Sequence, residues 1–185
     1  MSINFCSKCG STVEVRSIGG ADRLACTSCD YIYWGNYSIG VGALIIKEGK
    51  ILLVRRAQEP GKGYWTNPGG YIEQQEPIEE TIVREVLEEA GIHAKVTGII
   101  AVRDQPREIH NLYIAFEMEY LSGEPIPDDE EVDEAGFFTL EETESMNVAG
   151  FTKWLLDVAF QAEGKGLIKE PLAIKALERY GLFRV

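Results

Sequence analysis

The chain has no apolar run approaching the roughly 20 residues that a membrane-spanning helix needs. Its first residues, MSINFCSKCG, show no basic-then-apolar leader pattern, so a cytoplasmic protein is expected. Basic residues are scarce: 18 Lys and Arg stand against 30 Asp and Glu, for a net charge of −12. That sign argues against broad binding of nucleic acid or anionic membrane. It leaves room for a phosphorylated small molecule, because metal ions screen phosphates locally. Internal repeats and low-complexity tracts are also missing. With 185 residues and 45% hydrophobic content, the length suits one ordinary domain, alone or with a small module.

Cysteine is absent beyond position 29, and the four that precede it are spaced C-x2-C-x16-C-x2-C: Cys6, Cys9, Cys26 and Cys29. Two such knuckles match the four-thiolate pattern of structural Zn²⁺ sites. Disulfides would need an oxidising compartment that nothing else in the chain suggests. Residues 1–35 are too few to bury a useful core, so metal must supply their folding free energy. This segment resembles a zinc ribbon. Its only basic residues, Lys8, Arg16 and Arg23, are offset by Glu14, Asp22 and Asp30. Tyr31, Tyr33, Trp34 and Tyr37 are therefore expected to pack the module against its neighbour rather than to stack bases.

Residues 36–185 form the second predicted unit. Ile39–Ile46 and Ile51–Val54 read as strands joined by a hairpin at Glu48-Gly49. Arg55 and Arg56 end the second strand and are candidate phosphate clamps. Strands are expected at Lys95–Val102 and Leu112–Tyr120, with RDQPREIH between them as a polar loop facing a substrate. A short strand at Gly136–Phe138, a helical turn starting at TLEE, and helices over Phe151–Ala162 and Pro171–Tyr180 complete the reading.

The chemistry concentrates in Gly70–Ile92, GYIEQQEPIEETIVREVLEEAGI. Pro77 suits a first helical turn and Gly91 a position just past a C-terminus, which predicts a helix of about four turns between them. Ile82, Val83, Val86, Leu87 and Ala90 fall on one side as a core-facing stripe. Glu85, Glu88 and Glu89 share another arc, where they repel one another late in the helix and against its dipole. Arg84, four residues before Glu88, offsets part of that repulsion. A divalent cation would remove the rest, and oxygen-rich carboxylate sites suit Mg²⁺ or Mn²⁺. An isolated E-x-x-E-E is usually a solvated face. The added spacing of Gly70, Glu76, Arg84 and Gly91 favours the metal site.

That stretch reads G-x5-E-x7-R-E-U-x-E-E-x-G-U, with Val86 and Ile92 at the aliphatic U positions, and it is similar to the Nudix box. The box and flanking strands resemble a Nudix domain over roughly Tyr37–Gln161. The resemblance implies an α+β fold: an α/β/α sandwich around a mixed sheet, preceded here by the ribbon. It implies cleavage of a nucleoside diphosphate derivative by a water that bound cations make nucleophilic. Glu85, Glu88 and Glu89 would be metal carboxylates, with the Gly70 carbonyl as an extra ligand. Arg84 would anchor a box glutamate, and Glu76 would support the loop–helix junction and reach metal through water. The general base would be Glu85 or a downstream carboxylate, Glu131 first, because EVDEAGFF resembles the family's E-I-x-E-A-R-W-F segment. Asn67 stands where the family usually has an apolar residue before Pro-Gly-Gly.

A ribbon before such a domain is similar to NADH pyrophosphatases and to smaller ribbon-bearing members acting on ADP-ribose or FAD. The NADH group's S-Q-P-W-P-F is DQPREI here, which weakens NADH, while Pro106 lies near a proline of ADP-ribose-cleaving members. ADP-ribose-like dinucleotides rank first, giving AMP and a second phosphate product, with FAD and NADH next. A non-catalytic nucleotide sensor or scaffold is the other class, but such proteins typically lose box glutamates and none is lost here. Action on capped RNA is disfavoured by the net charge of −12. A homodimer, through the ribbon or a swapped strand, is compatible with the sequence.

Overall fold

The computed structural model describes residues 3–161, 167–169 and 183–184. The chain divides into two units, residues 1–37 with 106–110, and residues 38–105 with 111–185. The first is built on a three-stranded antiparallel sheet, β1 (Val13–Ile18), β2 (Ala21–Cys26) and β3 (Ile32–Tyr33). Cys6 and Cys26 are buried within it. Trp34 and Tyr37 are more than half exposed. Trp34 lies under the Arg23 guanidinium, 4.6 Å from its ring centre, and accepts at its carbonyl from the Tyr37 hydroxyl.

The second unit carries a large sheet made by β4 (Tyr37–Lys47), β5 (Lys50–Arg56), β6 (Trp65–Thr66), β7 (His93–Gln105), β8 (His110–Ser122), β9 (Val132–Phe138), β10 (Leu167–Lys169) and β11 (Phe183–Arg184). The order is β11-β10-β7-β8-β4-β5-β6, with β9 pairing β5. Antiparallel ladders dominate, and a parallel bridge joins Trp65 to Val148, so the sheet is mixed. β4 and β5 meet at Glu48 and Gly49, whose φ values of 52° and 76° suit the twist of a tight hairpin. The middle of both strands is buried on two faces, which accounts for their unbroken apolar runs. Alternation assigns the faces. Val41, Ala43, Ile45, Leu52 and Val54 join one core with Ile82, Val86 and Ala90 of helix α1 (Ile78–Ala90). Leu44, Ile51 and Leu53 join a second with Val148 and with Leu156 of helix α3 (Gly150–Gln161). Helices thus cover both faces, the expected α/β/α arrangement. Between β9 and α3, the short helix α2 (Leu140–Glu144) is started by a capping box from Thr139 and Glu142.

Two expectations need correcting. RDQPREIH is not a loop: β7 runs through Gln105 and β8 begins at His110, leaving four residues to turn the chain. Its polar side chains are carried by cross-strand pairing, Arg103 opposite Tyr113 and Gln105 opposite Asn111. On α1, Val83 and Leu87 face outward, while Thr81 and Glu89 are buried beside Ile82, Val86 and Ala90. The buried arc is rotated toward a carboxylate. The helix expected over Pro171–Tyr180 lies outside the described residues.

Candidate active site

Helix α1 begins after Pro77 and ends at Gly91, whose left-handed φ of 66° lets its N–H bond the Leu87 carbonyl. Thirteen residues bring Arg84, Glu85, Glu88 and Glu89 onto the last two turns. Arg84 ties the acidic groups together. Its Nε and Nη2 donate to the two Glu76 oxygens at 3.1 and 3.0 Å, and Nη1 donates to Glu85 at 3.0 Å and Glu88 at 2.8 Å. The fork on Glu76 is the bidentate geometry of strong guanidinium–carboxylate pairs. It holds Glu76 below the usual carboxylate range, and the surrounding carboxylates push Arg84 further above its own.

Glu89 is only 7% exposed and accepts one N–H, from Gly69, at 2.7 Å. Burial pushes its pKa up to about 8; the Gly69 bond opposes this, while Glu85, Glu131 and Asp128 add to it. Glu85 is also raised, mainly by burial and against the pull of Arg84. Gly70 lies directly on Glu85, since a Cβ at position 70 would come within 2.5 Å of the Glu85 carboxyl carbon. The Gly70 carbonyl accepts the Val41 N–H at 2.8 Å and keeps a second lone pair. Glu85, Glu89, Glu131 and Asp128 therefore act on one another near the end of the helix, and their oxygens are the hard donors a divalent cation takes. Among the described residues, only the cysteines already gather their ligand atoms as a metal centre does.

Glu131 lies on the turn before β9, and its charge is felt at both Glu85 and Glu89. The turn is fixed by Asp128, whose Oδ1 accepts from the backbone N–H groups of Glu130, Glu131 and Val132 at 2.9, 3.0 and 2.9 Å. Sequence reasoning passes over Asp128, although an Asp followed by a polar reversal is a turn signal in its own right. Asn67 stands out in the sequence only as a departure. It is buried, donates to the Tyr113 hydroxyl at 3.0 Å and accepts from Thr152 Oγ1 at 3.1 Å, so its polarity is fully used. Trp65 packs edge-on against Phe138 with ring centres 4.8 Å apart, as a supporting side chain does.

The remaining candidates make contacts of their own. Arg55 pairs with Asp133 at 2.7 Å and Glu134 at 2.8 Å. Arg56 donates to the Pro60 carbonyl. Pro106 is exposed and groups with the N-terminal unit. In that unit the four cysteine sulfurs all lie within 4.8 Å of one another, with Cys6–Cys29 at 3.7 Å and Cys9–Cys26 at 3.5 Å. All four are free thiols, and edges of that length suit a tetrahedron of metal–sulfur bonds of about 2.3 Å.

A helix-borne carboxylate cluster, a glycine loop folded onto it and a two-faced mixed sheet define a class, and the chain belongs to the Nudix family. A family model of the NUDIX domain matches residues 36–157. Among curated relatives, an NAD-capped RNA hydrolase NudC from Stutzerimonas stutzeri is 31% identical over 137 residues, 74% of this chain and 48% of the relative. An ADP-ribose pyrophosphatase from Methanocaldococcus jannaschii is 36% identical over 106 residues, 56% of this chain and 62% of the relative. The chain thus spans about half to three-fifths of the length of these relatives. Among solved structures, a NUDIX hydrolase from Nitrosomonas europaea superposes with a TM-score of 0.75 at 29% identity, covering 89% of this chain and 95% of its own. Nudix hydrolases use divalent metals such as Mg²⁺ or Mn²⁺. Among the described residues no helix is long and apolar enough to cross a membrane.

Proposed function

We propose that this protein is a divalent-cation-dependent hydrolase of the diphosphate bridge in nucleoside diphosphate derivatives, with ADP-ribose-like dinucleotides as its first substrate class. The observation that carries the reading is Glu89, a carboxylate buried among Glu85, Glu131 and Asp128 with a single N–H donor to balance it. Such a group is costly to maintain unless a cation is its normal partner. Glu85, Glu88 and Glu89 hold Mg²⁺ or Mn²⁺, with the Gly70 carbonyl as a further oxygen donor. A cation bound there lowers the pKa of water and neutralises charge gathering on the phosphoryl oxygens.

The chain's own groups do the rest. Glu131 accepts the proton of the attacking water at its carboxylate, and the Asp128 turn fixes the backbone that carries it. Arg84 keeps Glu85 and Glu88 on the cluster side of the helix, and its fork on Glu76 fixes the loop against the first turn. Arg55 and Arg56 already hold protein acceptors, so they are less suited to clamp phosphate. Cys6, Cys9, Cys26 and Cys29 hold a structural Zn²⁺, and four free thiols fit a reducing cytosol. The relative named as an ADP-ribose pyrophosphatase supports putting ADP-ribose first, while the relative named as an NAD-capped RNA hydrolase keeps NADH-type dinucleotides beside it.

The test is incubation with Mg²⁺ and, separately, ADP-ribose, FAD, NADH and nucleoside triphosphates, with products resolved by chromatography. AMP plus ribose 5-phosphate from ADP-ribose, fastest in the panel, is the expected result. A folded protein that forms no product from any of them with Mg²⁺ or Mn²⁺ would overturn the reading.

A further inference from the structure

Among the described residues, two buried side-chain polar atoms have no hydrogen-bond partner, Arg103 Nε and Gln105 Oε1. They belong to the same face of β7, two residues apart, at the end of the hairpin with β8. Buried polar groups are almost always paired, and leaving one unpaired costs about 1–3 kcal/mol. An orphaned donor and an orphaned acceptor side by side are therefore not expected of a strand end shaped for stability alone.

The surrounding contacts hold the guanidinium in place. Arg103 Nη2 donates to Asn111 Oδ1 at 2.9 Å, and Asn111 Nδ2 donates in turn to Ser38 Oγ at 2.9 Å. The guanidinium carbon lies 4.6 Å from the Phe151 ring centre and 5.1 Å from that of Tyr113. This corner adjoins the catalytic cluster. A Cβ at Gly40 would meet the Tyr113 ring at 2.9 Å and the Gly70 carbonyl oxygen at 3.4 Å, and Gly70 itself lies on Glu85. One aromatic ring and one bare stretch of strand separate Arg103 from the carboxylates.

We infer that Arg103 and Gln105 form a specificity site for a ribose vicinal diol of the substrate, a deepening that rests on the hydrolase reading above. Each hydroxyl of a diol both donates and accepts, so one group satisfies the Arg103 N–H and the Gln105 carbonyl together. A phosphate offers acceptors only, so it would pair with Arg103 and leave the Gln105 carbonyl unused unless the amide turned its NH2 inward. Arg103 and Gln105 are half-buried, so each keeps an exposed portion at the strand end where a ligand approaches the fixed guanidinium. Sites that hydrogen-bond a substrate hydroxyl discriminate strongly against analogues without it, because the site's own groups are then left unpaired.

Calorimetric titration in Ca²⁺ tests this on the full chain, with ADP-ribose as one probe and methylenediphosphonate, a diphosphate without sugar, as the other. Arg103→Ala and Gln105→Ala are each expected to weaken ADP-ribose about tenfold, as for one lost hydrogen bond, and to leave methylenediphosphonate unchanged. Arg103→Lys, which keeps the charge without the fork, is expected to lose nearly as much as the alanine variant. Should Arg103→Ala fail to fold by circular dichroism, the lysine and Gln105 variants carry the comparison. Unchanged ADP-ribose affinity in the variants overturns the site. Equal loss for both probes overturns it in favour of a phosphate contact. A wild type that binds methylenediphosphonate but no ADP-ribose overturns it as well. Turnover separates this from the parent reading. Binding that shows the contrast without any cleavage removes the hydrolase function and leaves the diol site standing.

Discussion

Glu89 meets opposing demands: the sheet buries it, and its neighbours Glu85 and Glu131 repel its charge. Its folded-state pKa is raised, from an ordinary 4.5 to about 8. Between those values the folded chain keeps a proton that the unfolded chain has released. Stability from this group is therefore complete below pH 4.5 and is lost as pH rises toward 8. Metal-free protein should lose up to about 1.4 kcal/mol per pH unit in denaturant titrations across that window, and Mg²⁺ should flatten the slope by displacing the proton. Glu89→Gln should melt no lower than wild type at pH 8 without metal, yet lose at least about 100-fold in turnover. Retained activity at equal Mg²⁺ would remove Glu89 from the cation site. Spacing alone names this residue but not its burial, because periodicity groups Glu85, Glu88 and Glu89 into an arc without saying which arc meets the sheet. Val83 and Leu87 show the same gap from the other side, apolar residues left outward because the Gly69–Gly70 loop claims a carboxylate.

At the scale of elements, the loop–helix junction depends on closeness that only glycine permits. A methyl at position 70 would overlap the Glu85 carboxylate, which must then leave the cluster. Gly70→Ala should cut turnover about 100-fold or more while shifting the melting temperature by only a few degrees. Comparing kcat/KM with thermal melting separates that outcome from simple misfolding. Ile82, fully buried where α1 meets the sheet, should behave in the opposite way: Ile82→Ala should cost about 2–5 kcal/mol in urea titrations. The strands and their order of appearance were legible because β4 and β5 are long apolar runs bounded by turn residues. The extension of β7 through Arg103–Gln105 was not, since charged and amide side chains carry a loop signal. Only the partner strand, with Asn111 and Tyr113 in register, shows how they are accommodated.

On the scale of the whole molecule, the two proposed metal sites depend on the fold in different ways. Among the described residues the N-terminal unit buries few apolar side chains, and its four cysteine sulfurs lie within 4.8 Å of one another. A chelator strong enough to strip Zn²⁺ should release one ion per chain and abolish the ribbon's NMR dispersion, while signals from the large sheet persist. Simultaneous collapse of both units would contradict this. Cysteine spacing made the ribbon legible at once, because metal geometry leaves few alternatives. The catalytic unit was legible through its box, whereas the Asn67–Tyr113–Thr152 network and the Asp128 turn join residues that leave no local pattern.

Arg84 has one more consequence. By bonding Glu76, Glu85 and Glu88 at once, it acts as a resident cation for these three carboxylates, so that they stay assembled without Mg²⁺. With the proposed cation site, losing Mg²⁺ should stop turnover while these carboxylates stay in place, and restoring the ion should restart it without a refolding delay. Fluctuations in cellular Mg²⁺ would be read out as changes in rate, with the number of protein molecules unaffected.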